Sequence, residues 1–209
     1  MDAGLIPVKR LEDAKSRLGE SFGEATRARV AAALLENALA LCAAADFLEW
    51  WVVTGDAAVA ERADAGGIGA LPDPGDGLNA ALSLAARALT ERGAASVTIV
   101  PCDVPLAMRA DIEDIVDTGA TSEMVVVPSA RDGGTNALYL RPPDLTPPRF
   151  GSASVEAHLA SAHALGVRCS ILELPRLALD LDTAEDVEAF LDLAPDGGPA
   201  AALARALRA

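Results

Sequence analysis

Apolar and polar positions along this chain fall into two alternating patterns. Short apolar runs, several rich in valine and isoleucine, recur at about Gly4 to Val8, Leu48 to Thr54, Ile68 to Leu71, Ser96 to Pro101, Met124 to Pro128, Asn136 to Leu140 and Arg168 to Leu174. Each has the length and composition of a buried strand. Between them lie alanine-rich stretches with helical spacing. Gly23 to Ala45 sets Val30, Leu34, Leu35, Leu39 and Leu41 close to a helical period, and Leu78 to Arg92, Arg109 to Thr118, Ser154 to Leu165 and Thr183 to Leu193 predict further helices. The last of these starts well, because Thr183 can cap it while Glu185 and Asp186 favour the positive helix end. Such alternation predicts an α/β fold with a mixed, mostly parallel sheet flanked by crossover helices. Pro142-Pro143 and Pro147-Pro148 bracket a stretch that cannot be regular structure. The tail from Pro195 to Ala209 is Pro/Gly-rich and then helical, and is expected to be peripheral to a single domain spanning 1–209.

Composition narrows the chemistry. At 209 residues and 51% hydrophobic, the chain has ample material for one core. Its 31 acidic residues outnumber 17 basic ones, for a formal net charge of -14, which argues against a nucleic-acid backbone or an anionic membrane as partner. An anionic substrate must then be held by local cations or by metal. Aromatic residues at 3% leave little for base-stacking platforms. Cys42, Cys102 and Cys169 are widely spaced with no CxxC, so they read as reduced thiols of a cytoplasmic protein. No signal-peptide pattern opens the chain, and no apolar run reaches membrane-spanning length.

Against this acidic background, the only two lysines, Lys9 and Lys15, stand close together with Arg10 and Arg17 just after the first strand. Compact ammonium charges before a helix suit phosphate oxygens, though a solvated basic loop would look the same. Asp103 ends the Val97 to Pro101 strand, where ligands of open α/β sheets collect. It is placed either to hold a hard cation or to cap a turn. Asp180-Leu181-Asp182 in an extended segment would turn both carboxylates to one side and Leu181 to the core. Like charges so close suit a divalent cation, with helix capping as the plainer alternative.

Two further groups involve glycines. Gly77-Leu78-Asn79 follows a Pro-Asp-Pro turn and opens a helix. Glycine would let a nucleotide approach the backbone and Asn79 could read a base edge or ribose, or the segment is an ordinary turn and cap. Thr135, Gly151 and Ser154, with Arg131 and Arg149 nearby, are small donors and cations suited to a small anion, or else a hairpin turn and a cap. His158 and His163 are five apart, unlike a metal-binding i,i+4 pair, and both are expected to be partly exposed. Walker, G-x-S-x-G and HExxH motifs are absent from the sequence.

Taken in order, Ile6-Pro7-Val8-Lys9-Arg10, Ala14-Lys15-Ser16-Arg17-Leu18, Gly77-Leu78-Asn79, Pro101-Cys102-Asp103-Val104-Pro105-Leu106, Asp132-Gly133-Gly134-Thr135-Asn136, Phe150-Gly151-Ser152-Ala153-Ser154 and Leu179-Asp180-Leu181-Asp182-Thr183 resemble one family. It is the 2-phospho-L-lactate or phosphoenolpyruvate guanylyltransferases of coenzyme F420 biosynthesis. The resemblance implies a nucleotide-diphospho-sugar-transferase-like (GT-A-like) fold and a nucleotidyltransferase that joins GMP from GTP to a small phosphorylated acid. Phosphoenolpyruvate is favoured over 2-phospho-L-lactate, and 3-phospho-D-glycerate is a further choice. It implies that Asp103, Asp180 and Asp182 bind one or two Mg²⁺ ions, that Thr135, Gly151 and Ser154 contact the acid, and that Lys9, Arg10, Lys15 and Arg17 grip the triphosphate. Small molecules would be the partners, with product hand-over to the next enzyme of the pathway; oligomeric state stays open. A metal-dependent nucleotide-sugar glycosyltransferase and a non-catalytic nucleotide-binding module are the rival classes.

Overall fold

A computed structural model of the chain describes residues 1–9, 23–131 and 133–208. Seven strands form one sheet: β1 (Asp2–Pro7), β2 (Glu49–Thr54), β3 (Gly69–Pro72), β4 (Ser96–Ile99), β5 (Met124–Pro128), β6 (Thr135–Leu140) and β7 (Cys169–Ile171). The helices are α1 (Glu24–Ala44), α2 (Ala57–Ala65), α3 (Leu78–Glu91), α4 (Arg109–Gly119), α5 (Ser154–Leu165), α6 (Ala184–Leu193) and α7 (Gly198–Arg208). The sheet order is β3-β2-β1-β4-β6-β5-β7. Only β6 runs against its neighbours, pairing antiparallel with β4 and β5, while the other pairs are parallel. The mixed, mostly parallel sheet read from the apolar pattern is the one observed.

Strand periodicity sorts the core into two layers. Ile6, Val52, Val125, Val127 and Tyr139 face one side, against Leu35, Leu41 and Cys42 of α1, Val59 of α2 and Ile115 of α4. Leu5, Val53, Ile99, Val126 and Leu138 face the other, against Leu82, Ala85 and Leu89 of α3 and Ala162 of α5. Tryptophans sit opposite glycines on adjacent strands. Gly4 pairs with Trp50 and Trp51 with Gly69, so each indole lies over a bare backbone. A Cβ at Gly4 would overlap the Trp50 ring, whose Nε1 is also tied to the Ala45 carbonyl at 2.8 Å. Gly4→Ala is expected to cost about 3 kcal/mol in urea denaturation, because the ring cannot move without breaking that bond.

Three sequence expectations change. Helix α2 escaped the apolar pattern because it buries only Val59 and Ala63; Asp56 starts it by accepting a 3.0 Å bond from Ala58 N. The last strand ends at Ile171 rather than Leu174. The tail, expected to be peripheral, instead packs as α7, with Leu203 fully buried in a third cluster with Val30 and Leu34 of α1 and Phe190 of α6. Small alanines at positions 200, 201 and 204 permit this close approach. No helix among the described residues is long and apolar enough to cross a membrane.

Candidate active site

Strand order reverses direction between β1 and β4, and a crevice opens beyond the carboxyl ends of such neighbours. Leu5 pairs with Ile99, and Val100 N donates to Leu5 O at 3.0 Å. Lys9 and Asp103 each lie four residues beyond that pair, on the segments that follow β1 and β4. Lys9 is exposed. Arg10, Lys15 and Arg17 lie outside the described residues.

Sequence spacing could not show that Asp103 meets Asp180 and Asp182. A main-chain bond joins the two segments: Leu181 N donates to Asp103 O at 3.0 Å. Leu181 is fully buried against α1, α6 and α7, turning its flanking carboxylates outward from that cluster as the extended spacing predicts. Burial pushes the Asp180 carboxyl above the usual range, the charges of Asp103 and Asp182 push it further, and a hydrogen bond from Asn136 and the charge of Arg131 pull it back. Asn136 Nδ2 donates to Asp180 Oδ1 at 3.3 Å and to Leu177 O at 2.7 Å, so strand β6 reaches directly into the carboxylate cluster.

Helix α6 holds the same segment from the other end. One oxygen of the buried Asp186 carboxylate accepts from Asp182 N at 3.0 Å, Thr183 N at 2.7 Å, Thr183 Oγ1 at 2.9 Å and Arg131 Nη2 at 2.7 Å. Thr183 caps the helix and Asp186 completes the capping box, in agreement with the sequence. Arg131, considered from sequence as a charge for a small anion, is paired instead: Asp186 takes it at 2.7 Å and Asp180 lies 3.9 Å away. Behind these residues, Arg176 makes two bonds to the buried Asp111 carboxylate at 2.7 and 2.9 Å, fastening the 174–178 turn to α4.

The three aspartates supply hard oxygen donors crowded by like charge, which is the donor chemistry Mg²⁺ takes. Their side chains do not form a closed cage, since no group of three His, Cys, Asp or Glu residues among those described is arranged to hold a metal ion. The donor set therefore fits a divalent cation in kind, with coordination left incomplete by the protein side chains alone.

Across the β6 tip lies a hydroxyl pair. Ser154 Oγ donates to Thr135 Oγ1 at 2.8 Å, and Thr135 Oγ1 lies 3.2 Å from His158 Nδ1. Arg149 N donates to His158 Nε2 at 3.0 Å. Gly151 adopts φ +134°, and Ala153 adopts φ 54°, a left-handed conformation uncommon for a residue with a Cβ. Helix α5 is thereby turned so that Val155 N reaches Gly133 O at 3.0 Å.

Gly77, at φ +95°, starts α3 without a side-chain cap, and Leu78 follows, partly buried. Asn79 does not project free toward a base or ribose. Its Nδ2 donates to Phe150 O at 3.0 Å and its Oδ1 accepts from Phe150 N at 2.8 Å, so both ends of the amide are committed to the 149–151 loop. This clamp joins the Gly77-Leu78-Asn79 turn to the loop that leads to Gly151 and Ser154.

His158 also departs from expectation: it is 0% exposed rather than partly so. Its i,i+4 relation to Ser154 was the available signal, since residues four apart share a helix face. His163, on another face, is exposed. Burial, with help from the Arg149 charge, lowers the His158 pKa from 6.5 to about 4. The imidazole thus stays neutral in the folded protein while the unfolded chain takes a proton below its ordinary value. Its contribution is complete above pH 6.5 and is lost as the pH falls toward 4, by about 3 kcal/mol in total. His158→Asn should flatten this part of the stability profile in urea denaturation across that range; parallel profiles for the two proteins would contradict it.

Residues 3–197 match the family described as guanylyl transferase CofC like. A phosphoenolpyruvate guanylyltransferase of Chloroflexus aggregans is 36% identical over 190 residues, covering 88% of this chain and 94% of its own. One of the same name from Rubrobacter xylanophilus is 38% identical, covering 88% and 90%. A 2-phospho-L-lactate guanylyltransferase of Methanothermobacter thermautotrophicus is 34% identical, covering 88% and 81%. Among solved structures, a candidate nucleotide-diphospho-sugar transferase from Desulfovibrio desulfuricans superposes with a TM-score of 0.82 at 19% identity, covering 100% of this chain and 98% of its own. A nucleotidyl transferase from a Methanothermobacter species gives 0.68 at 17%, covering 92% and 97%. At those identities the structural likeness speaks for the fold, which is the GT-A-like one expected. The sequence match across nearly the whole length speaks for more: this chain belongs to the CofC-like guanylyl transferase family and is a nucleotidyltransferase.

Proposed function

We propose that the protein transfers GMP from GTP to the phosphate of a phosphorylated three-carbon acid, phosphoenolpyruvate in preference to 2-phospho-L-lactate, and releases pyrophosphate, as a step toward coenzyme F420. Thr135 and Asn136, consecutive on β6, carry this reading. Thr135 belongs to the hydroxyl pair and Asn136 reaches the Asp180 carboxylate, so adjacent residues of one strand tip serve an anion-sized donor site and the carboxylate cluster. An acceptor held at the first would present its phosphate to a nucleotide held at the second. The relatives named for phosphoenolpyruvate favour that acid.

In this reading Thr135, Gly151 and Ser154 orient the acid. Lys9, Arg10, Lys15 and Arg17 hold the departing pyrophosphate, and Gly77, Leu78 and Asn79 shape the nucleotide side of the site, Asn79 through its clamp on the loop. Asp103, Asp180 and Asp182 would hold one or two Mg²⁺ ions, which when bound supply charge neutralisation at the α-phosphate. An acceptor phosphate is already anionic near neutral pH, so no general base is needed, and the buried neutral His158 is not placed as one. The glycosyltransferase alternative has only fold-level likeness behind it.

Purified protein with Mg²⁺ and each nucleoside triphosphate should release pyrophosphate only when phosphoenolpyruvate, 2-phospho-L-lactate or 3-phospho-D-glycerate is added, with GTP and phosphoenolpyruvate fastest. Silence in every combination would overturn the transferase reading.

A further inference from the structure

His158 sits wholly buried in α5 with both ring nitrogens engaged, Nε2 by Arg149 N at 3.0 Å and Nδ1 by Thr135 Oγ1 at 3.2 Å. A backbone N–H can only donate. Nε2 must therefore accept, and a neutral ring, with one hydrogen for two nitrogens, carries it on Nδ1. From there it is donated to Thr135 Oγ1. The Thr135 and Ser154 hydroxyls, 2.8 Å apart, own two hydrogens between them. One is used in the bond they share. Because the ring gives a hydrogen and takes none, the other remains available, whichever hydroxyl carries it. In the opposite tautomer Nδ1 would accept that hydrogen and leave the pair with nothing to offer. Among the described residues neither hydroxyl has a further partner to absorb it.

We propose that His158 is a positioning residue: locked as the Nδ1–H tautomer by the Arg149 main chain, it makes the Thr135–Ser154 pair a net hydrogen donor to one anionic oxygen of the acid substrate. Polarity here is set two steps away from the ligand, by a backbone amide. A substrate hydroxyl could also accept this hydrogen, but a carboxylate or phosphate oxygen, which can only accept, is the better match. Burial keeps the ring uncharged, so the site gains direction without a second cation. The identity of the ligand rests on the function proposed above; the hydrogen polarity does not.

Long-range ¹H–¹⁵N correlation at neutral pH should show His158 protonated at Nδ1 and bare at Nε2, and the reverse tautomer would overturn the proposal whatever the enzyme does. Kinetics then separate donation from mere packing. An asparagine amide nitrogen reaches the place of Nδ1, whereas a glutamine carboxamide reaches that of Nε2. His158→Asn should hold the KM for the acid within about threefold, while His158→Gln and His158→Leu should raise it at least about tenfold with the KM for GTP little changed. The exposed His163→Leu serves as an unaffected control. Equal losses in the Asn and Gln variants, or a GTP KM rising in step with that of the acid, would sink the idea. Should His158→Leu fail to fold, the Asn and Gln contrast still decides. A wild-type protein inactive with every acid would refute the proposed function and leave the tautomer measurement standing.

Discussion

Asp103→Asn and Asp182→Asn are each expected to lower turnover at least about a thousandfold while leaving the fold intact, a loss of about 4 kcal/mol of transition-state stabilisation. The fold should survive because the link between the two segments uses the main-chain oxygen of Asp103 and the main-chain nitrogen of Leu181, which no side-chain exchange touches. Asparagine preserves shape and removes only charge, so the loss reports on electrostatics. Asp180→Asn should be equally damaging to turnover and should in addition raise the thermal stability of the unliganded protein. Burial and two neighbouring carboxylates oppose the charge of Asp180, with partial relief from Asn136 and Arg131. Pyrophosphate release and thermal unfolding measured on the same preparations check both halves. Rates within tenfold of wild type in the Asp103 and Asp182 variants would remove these carboxylates from the chemistry.

Asp186→Ala is expected to cost about 3 kcal/mol of stability and to reduce turnover with it. At 6% exposure, the carboxylate has little access to water, and four donors converge on one of its oxygens. Its removal would strand the main-chain N–H groups of Asp182 and Thr183 and free Arg131 to pair with Asp180 instead. The segment that carries the cluster would lose its hold on α6. Asp186→Asn, which keeps an acceptor for the N–H groups but not the charge for Arg131, should recover part of the stability in urea denaturation. Identical losses in the two variants would show that the ion pair, and not the cap, dominates.

Much of this architecture was legible before any coordinates. The β5 and α5 limits read from the pattern coincide with those observed, because both are bounded by residues that change the local preference: Pro128 ends the strand and Gly166, at φ +67°, ends the helix. Helix α2 was not legible, since a nine-residue helix burying two residues leaves almost no periodic trace. The clamp on Phe150 hid the use of Asn79, because an exposed-looking amide beside glycines reads equally well as a ligand contact or as a bridge. His158 was concealed by an alanine-rich helix whose surrounding residues do not announce which face is covered.

What the sequence by itself determined is the strands and all helices but α2, the sign and kind of the charged groups, and the family. These depend on local periodicity, turn chemistry and residue type, all properties of neighbours along the chain. Tertiary structure alone decided which groups meet. The bond from Leu181 to Asp103 joins residues remote in sequence, and Asn136 reaches Asp180 only because β6 runs against β4 and brings its first residues to the carboxyl end of the sheet. Strand direction also places Thr135 beside Ser154 and His158, where an Arg149 amide chooses the hydrogen that the pair can offer. Such choices belong to hydrogen-bond partners brought together by packing, and no spacing along the chain encodes them.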